Sequence, residues 1–149
     1  MHDVIPTIRG SDRYLLAISL ACFAVAGVTN VAVGSVELTL GATVLAIAGV
    51  YCIARYAGSV DRRTLAQTAL GLWVGFLLIA SSHAVGLEAV GSMAPGPTRV
   101  TVVALTAVTW ATLLSAIGST IFLGFREYAS PSPAENQVID GDASDYFTR

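Results

Sequence analysis

The chain has 149 residues, of which 54% are hydrophobic and only 12% charged, with a formal net charge of −2 and a mean hydropathy of +0.70. Soluble domains carry roughly 25% charged residues, and one of this size has too much surface for its volume to hide this apolar excess from water. The composition therefore predicts a membrane protein, and the absence of a basic patch argues against nucleic acid as a partner.

Every basic side chain is arginine (Arg9, Arg13, Arg55, Arg62, Arg63, Arg99, Arg126 and Arg149), a bias that points to a prokaryotic coding style rather than to a mechanism. The first apolar run covers 14–33, with Ser11 as its expected N-cap and Asp12 in the first turn, where the helix dipole favours a negative charge. About 20 residues suffice to cross the hydrocarbon. Ala24-Val25-Ala26 resembles a signal-peptide cleavage site, but the run continues to Val33 and a second span follows at once, which argues against cleavage.

Gly34-Ser35-Val36 is read as a tight turn into the second span, 37–57, so the first two helices form an antiparallel hairpin. Gly58 to Arg63 connects to the third span, 64–87, which Thr64-x-x-Gln67 opens as a capping box. The longest loop, Glu88 to Arg99, is broken by Gly91 and Pro95-Gly96-Pro97. Thr98 is the expected cap of the fourth span, 98–125, which is longer than the bilayer needs and so tilts or protrudes. The fold predicted is all-α: an antiparallel bundle of four transmembrane helices, preceded by an N-terminal segment (1–13). The tail, 129–149, carries Glu135, Asp140, Asp142 and Asp145 with little apolar surface, and is expected to be disordered.

Arg9, Arg13, Arg55, Arg62, Arg63 and Arg126 fall on one side of this arrangement, and only Arg99 flanks a span on the other. Basic residues favour the cytoplasmic side, so both termini are expected there, in a cell membrane. Tyr14, Tyr56 and Tyr128 lie at the same boundary, as an aromatic belt would place them.

Polar residues in spans are costly and deserve separate weighing. Asn30, Glu37, Ser82, His83, Glu88 and Arg99 all map near the extracytoplasmic ends of the helices. As a site, His83 and Glu37 would handle a proton or a cation, with Asn30 and Ser82 as neutral ligands. The commoner explanation is helix ends meeting headgroups and water, with Glu37 and Arg99 pairing. No cofactor is expected, because His2 and His83 lie at opposite faces and cannot be an axial pair for haem. Cys22 and Cys52 sit in apolar runs without metal-ligand spacing, so no metal is expected.

Nucleotide-binding, serine-hydrolase and zinc-protease motifs are all missing, and the span centres hold no Asp, Glu, Lys or Arg. The sequence is not expected to be an enzyme. Packing signals are richer. Gly71-x-x-x-Gly75 is a small-xxx-small motif, with Gly27, Gly34, Gly41 and Gly49 as further small surfaces. On the fourth span Thr98, Thr101, Thr109, Thr112, Ala116, Ser119 and Thr120 share an arc of about 100°. Val103, Ala107, Trp110, Leu114, Ile121 and Phe125 lie opposite. The small face is expected to meet protein and the bulky face lipid. The function expected is that of a non-catalytic accessory or structural subunit of a larger membrane assembly. Its partners would be the bilayer and other membrane subunits or copies of itself. The alternative is a small oligomeric channel or transporter using the hydroxyl stripe or the outer polar cluster.

Overall fold

A computed structural model of the chain describes residues 7–31 and 35–129. The expectations for the rest, including the turn at Gly34 and the acidic tail beyond 129, lie outside the described residues. Among the described residues five helices follow one another: α1 (Thr7–Val31), α2 (Val36–Ser59), α3 (Arg62–Val85), α4 (Leu87–Met93) and α5 (Thr98–Tyr128). Among the described residues there is no strand. Four of the helices, all but α4, are long and apolar enough to cross a membrane, and the chain is a multi-pass, all-α membrane protein built as a helix bundle.

The helix starts differ from the sequence reading in instructive ways. Ser11 does not cap α1, which already begins at Thr7. Ser35 caps α2, its hydroxyl accepting from the Leu38 amide at 3.4 Å, with Glu37 in the first turn. The cap of α3 is Asp61 rather than Thr64. Its carboxylate accepts from the Thr64 amide at 3.2 Å and from the Thr64 hydroxyl. A carboxylate satisfies two donors at once and carries a negative charge to the positive helix end, so it outcompetes the hydroxyl three residues on. These bonds, the Thr64 hydroxyl first, hold the Asp61 carboxyl below the usual aspartate value. Pro97 precedes α5 without a side-chain cap, so Thr98 is the first helical residue.

α1 and α2 pack along their lengths as the expected hairpin, α5 lies against both, and α3 leans chiefly on α5. The short α4 fills the long loop, a helix that the glycine and prolines there concealed. It packs on α5 through Gly91, where a Cβ would fall 2.8 Å from Thr98 Cγ2.

Two glycines set the closest approaches. A Cβ on Gly27 would lie 2.3 Å from Trp110 Cβ and Cγ, and one on Gly49 would lie 2.6 Å from the Phe23 ring. Each glycine is thus the seat of an aromatic side chain from the neighbouring helix, which brings α5 and then α2 tightly onto α1. Beside the Phe23 ring the buried Ser19 hydroxyl donates to the Gly49 carbonyl at 3.0 Å. Lipid tails are as apolar as leucine, so such packing and hydrogen bonds, rather than exclusion of water, hold these helices together.

The end that bears the α2–α3 turn is tied more densely. Tyr56, Ala57 and Leu65 are buried there, with Leu15, Leu16, Val60, Phe122 and Leu123 packed around them. Tyr56 and Thr68 share a hydrogen bond of 2.8 Å between α2 and α3. The Arg126 guanidinium donates to the carbonyls of Ala57 (3.0 Å) and Val60 (2.7 Å). It thereby brings a positive charge to the carbonyl-rich end of α2, where the helix dipole favours it. Arg62 forms an ion pair with Glu127 across the same end.

Candidate functional site

The candidate polar residues near the helix ends do not form one cluster. Asn30, exposed in the last turn of α1, lines a cavity of about 170 Å³ together with Thr39, Thr43 and Trp110. Both threonine hydroxyls there donate to their own helix, Thr39 to Ser35 O at 3.4 Å and Thr43 to Thr39 O at 2.8 Å. Glu37 is exposed at the start of α2.

His83 lies apart from these, at the seam between α3 and α5, with Ser82 beside it in sequence. The Ser82 hydroxyl donates to Ile79 O at 2.6 Å. His83 Nε2 lies 3.1 Å from Thr109 Oγ1, and that hydroxyl donates in turn to Leu105 O at 2.7 Å. With the Thr109 proton so committed, the imidazole is best placed to donate. Lower on the same seam Trp73 Nε1 donates to Thr120 Oγ1 at 3.1 Å. Stepping up α3 from Trp73 to His83 steps down α5 from Thr120 to Thr109, the register of an antiparallel pair.

Arg99 is exposed in the first turn of α5, and among the described residues no ion pair joins it to Glu37. Glu88 lies in α4, and its side chain is outside the described residues. Among the described residues no group of three His, Cys, Asp or Glu is gathered to hold a metal ion. Cys22 and Cys52 are free and half-buried.

The faces of α5 are used differently from the sequence reading. The small, hydroxyl-bearing face does meet protein, with Thr109 and Thr120 bonded to α3 and Ala116 and Ser119 fully buried. Thr112 bonds back to Val108 O at 2.8 Å and to Thr109 O at 3.1 Å. On the opposite face Val103, Ile121 and Phe125 are exposed as expected. Trp110 instead packs on Gly27, and Ala107 and Leu114 line cavities against α1. That part of the bulky face meets α1 because an indole and a glycine fit each other better than either fits acyl chains.

Ser115 was not anticipated. It and Ser119 are fully buried, and neither hydroxyl has a hydrogen-bond partner among the described residues. Their contribution to packing is small size. Together with Ala111 they repeat at every fourth residue, a spacing that could have been read from the sequence.

Gly71 and Gly75 stand apart from all of this. A Cβ on either would meet no atom within 4 Å. The helix that carries them is also the least buried of the four spans. The small-xxx-small face of α3 therefore points away from the chain's own core.

Compared with known protein families, curated proteins and solved structures, the chain matches none.

Proposed function

We propose that the chain is a small, non-catalytic accessory or structural subunit of a larger membrane assembly, and that it receives a partner helix on the Gly71/Gly75 face of α3. The observation that carries this reading is the open space above both glycines on the least buried span. A small-xxx-small face lets two backbones approach closely, and this one is not used within the chain. The fitting partner is a transmembrane helix with a small-residue face of its own. A homo-oligomeric channel lined by the α5 hydroxyls has less support, since α3 lies along that stripe and bonds to Thr109 and Thr120.

Gentle extraction followed by mass measurement tests the reading. The wild-type chain is expected in a heteromeric complex. Gly75→Leu should release it as a monomer, and Gly75→Ala should leave its own stability unchanged, because a Cβ at Gly75 meets no atom within 4 Å. A complex that survives Gly75→Leu would refute the proposed face, and a discrete homo-oligomer would favour the channel.

The arginine-rich end is assigned to the cytoplasm of a cell membrane, with both termini there. In a background where Cys22 and Cys52 are replaced by alanine, cysteines at Ser35 and Ser92 should react with an impermeant thiol reagent in sealed cells. One at Ser59 should not, and labelling there would reverse the assignment.

A further inference from the structure

At the arginine-rich end a second feature lies between the first turns of the apolar part of α1 and the last turns of α2. Ser11, Asp12 and Leu15 of α1 and Ala54, Arg55, Gly58 and Ser59 of α2 enclose an open cavity of about 380 Å³. Pockets that hold small ligands begin near this size. Its depth in the membrane is fixed by the chain itself, since Ser11 opens the first apolar span and Ser59 closes the second. The cavity therefore sits where the hydrocarbon gives way to headgroups.

Two opposite charges face this space from different helices, Asp12 from α1 and Arg55 from α2. Neither has a hydrogen-bond or ion-pair partner among the described residues, and they are not paired with each other. Opposite charges near a low-dielectric boundary attract strongly, so the arrangement is complementary to a ligand carrying both signs. A guanidinium fits a phosphate through parallel N–H donors, and a carboxylate accepts from a primary ammonium. Leu15, Ala54 and Gly58 supply an apolar floor, which suits the glycerol and first methylenes of a lipid. The Ser59 hydroxyl donates to Tyr56 O at 2.9 Å, which leaves its oxygen able to accept a further N–H.

We propose that this cavity is a headgroup site for an aminophospholipid such as phosphatidylethanolamine, with the phosphate on Arg55 and the ammonium on Asp12. The chemistry sets the selectivity. Phosphatidylcholine has no N–H to donate to Asp12, and phosphatidylglycerol presents an anion without an ammonium. A purely anionic lipid would satisfy Arg55 and leave the carboxylate facing a negative charge.

Native mass spectrometry of the full chain, delipidated in detergent and titrated with each lipid, tests the assignment. Phosphatidylethanolamine is expected to bind about tenfold more tightly than the other two, the equivalent of about 1.4 kcal/mol. Arg55→Gln and Asp12→Asn should each abolish that preference. Gly58→Leu should weaken binding with both charges intact, because Gly58 lines the cavity and a Cβ there meets no atom within 4 Å. Soluble phosphoethanolamine should bind far more weakly than the lipid. Equal affinity for phosphoethanolamine would make this a site for a soluble phosphoamine and overturn the lipid reading. Tighter binding of phosphatidylglycerol, lost in Arg55→Gln and kept in Asp12→Asn, would reduce it to a simple anion contact. A phosphatidylethanolamine preference unchanged in all three variants would place the lipid elsewhere.

Discussion

Gly27→Ala is the most direct test of how the spans are held together. The new methyl carbon would stand 2.3 Å from both Cβ and Cγ of Trp110 and 2.7 Å from its Cδ1. Carbon atoms pack best at roughly 3.5–4.0 Å, so the two helices must separate by more than about 1 Å locally. Trp110 Cβ is fixed to the α5 backbone, so a change of rotamer cannot relieve the contact and α5 itself must move. Overpacking of a tight core costs about 1–3 kcal/mol, and backbone-anchored atoms put this site at the upper end. Replacing a mid-helix glycine with alanine returns up to about 1 kcal/mol of helix propensity. The net expectation is a loss of about 2 kcal/mol. Gly41→Ala is the matched control, since nothing lies within 4 Å of its Cβ position, and it should be neutral or slightly stabilising. Reversible unfolding of both variants in mixed micelles measures the difference. Trp110→Ala should cost less in the Gly27→Ala background than in the wild-type chain, because there it also removes the clashing Cγ and Cδ1. If Gly27→Ala is as stable as Gly41→Ala, the α1–α5 contact described here is wrong.

Arg126→Gln removes the positive charge bonded to Ala57 O and Val60 O, and should cost about 1–2 kcal/mol in the same unfolding assay, the lower range for charged hydrogen bonds at a partly exposed site. An unchanged midpoint would deny the cap. The Asp61 carboxyl is held low by Thr64, so its folded value lies below its unfolded one. Its contribution is therefore present above the unfolded value and is lost as pH falls through the folded one. Asp61→Asn keeps an acceptor for Thr64 and should remove that acid-side loss of structure in the first turn of α3, followed by amide NMR from neutral to acidic pH. Identical acid profiles for the two proteins would rule out the linkage.

The spans were legible because long apolar runs have few other uses in a chain with so few charges. Cap residues were less so: Asp61 and Thr64 are both good N-terminal signals, and only the geometry shows the carboxylate serving Thr64. Helix α4 was hidden because Gly91 reads as a breaker in isolation, whereas here it lets α4 approach Thr98 closely. The faces of α5 show a deeper limit. In a bilayer an apolar side chain is at home against lipid or protein alike, so polarity alone cannot say that Trp110 turns to α1 while Ile121 stays exposed. What decides it is a match of shape with Gly27, two residues far apart in sequence. For the same reason the spaced pair Gly71/Gly75 is legible as a packing motif, yet the closest approaches within the chain are at Gly27 and Gly49, each of which seats an aromatic ring. Asn30, Glu37, His83 and Arg99 lie in terminal turns of their helices, but the separation of the Asn30 cavity from the His83 seam depends on α5.

That last helix touches each of the other four, while α1 and α2 already pack as a hairpin without it. Ribosomal synthesis runs from the N-terminus, so the order of assembly follows from the contacts. The α1–α2 hairpin has its Phe23–Gly49 and Ser19–Gly49 interactions as soon as both spans are inserted. α3 is then held only near its first turns, by the Tyr56–Thr68 bond and by Leu65 against Tyr56 and Ala57, with Trp73 and His83 lacking Thr120 and Thr109 until α5 arrives. The chain is thus most open to chaperones and to proteases during the interval between its third and fourth insertions, and the closing event is a single one.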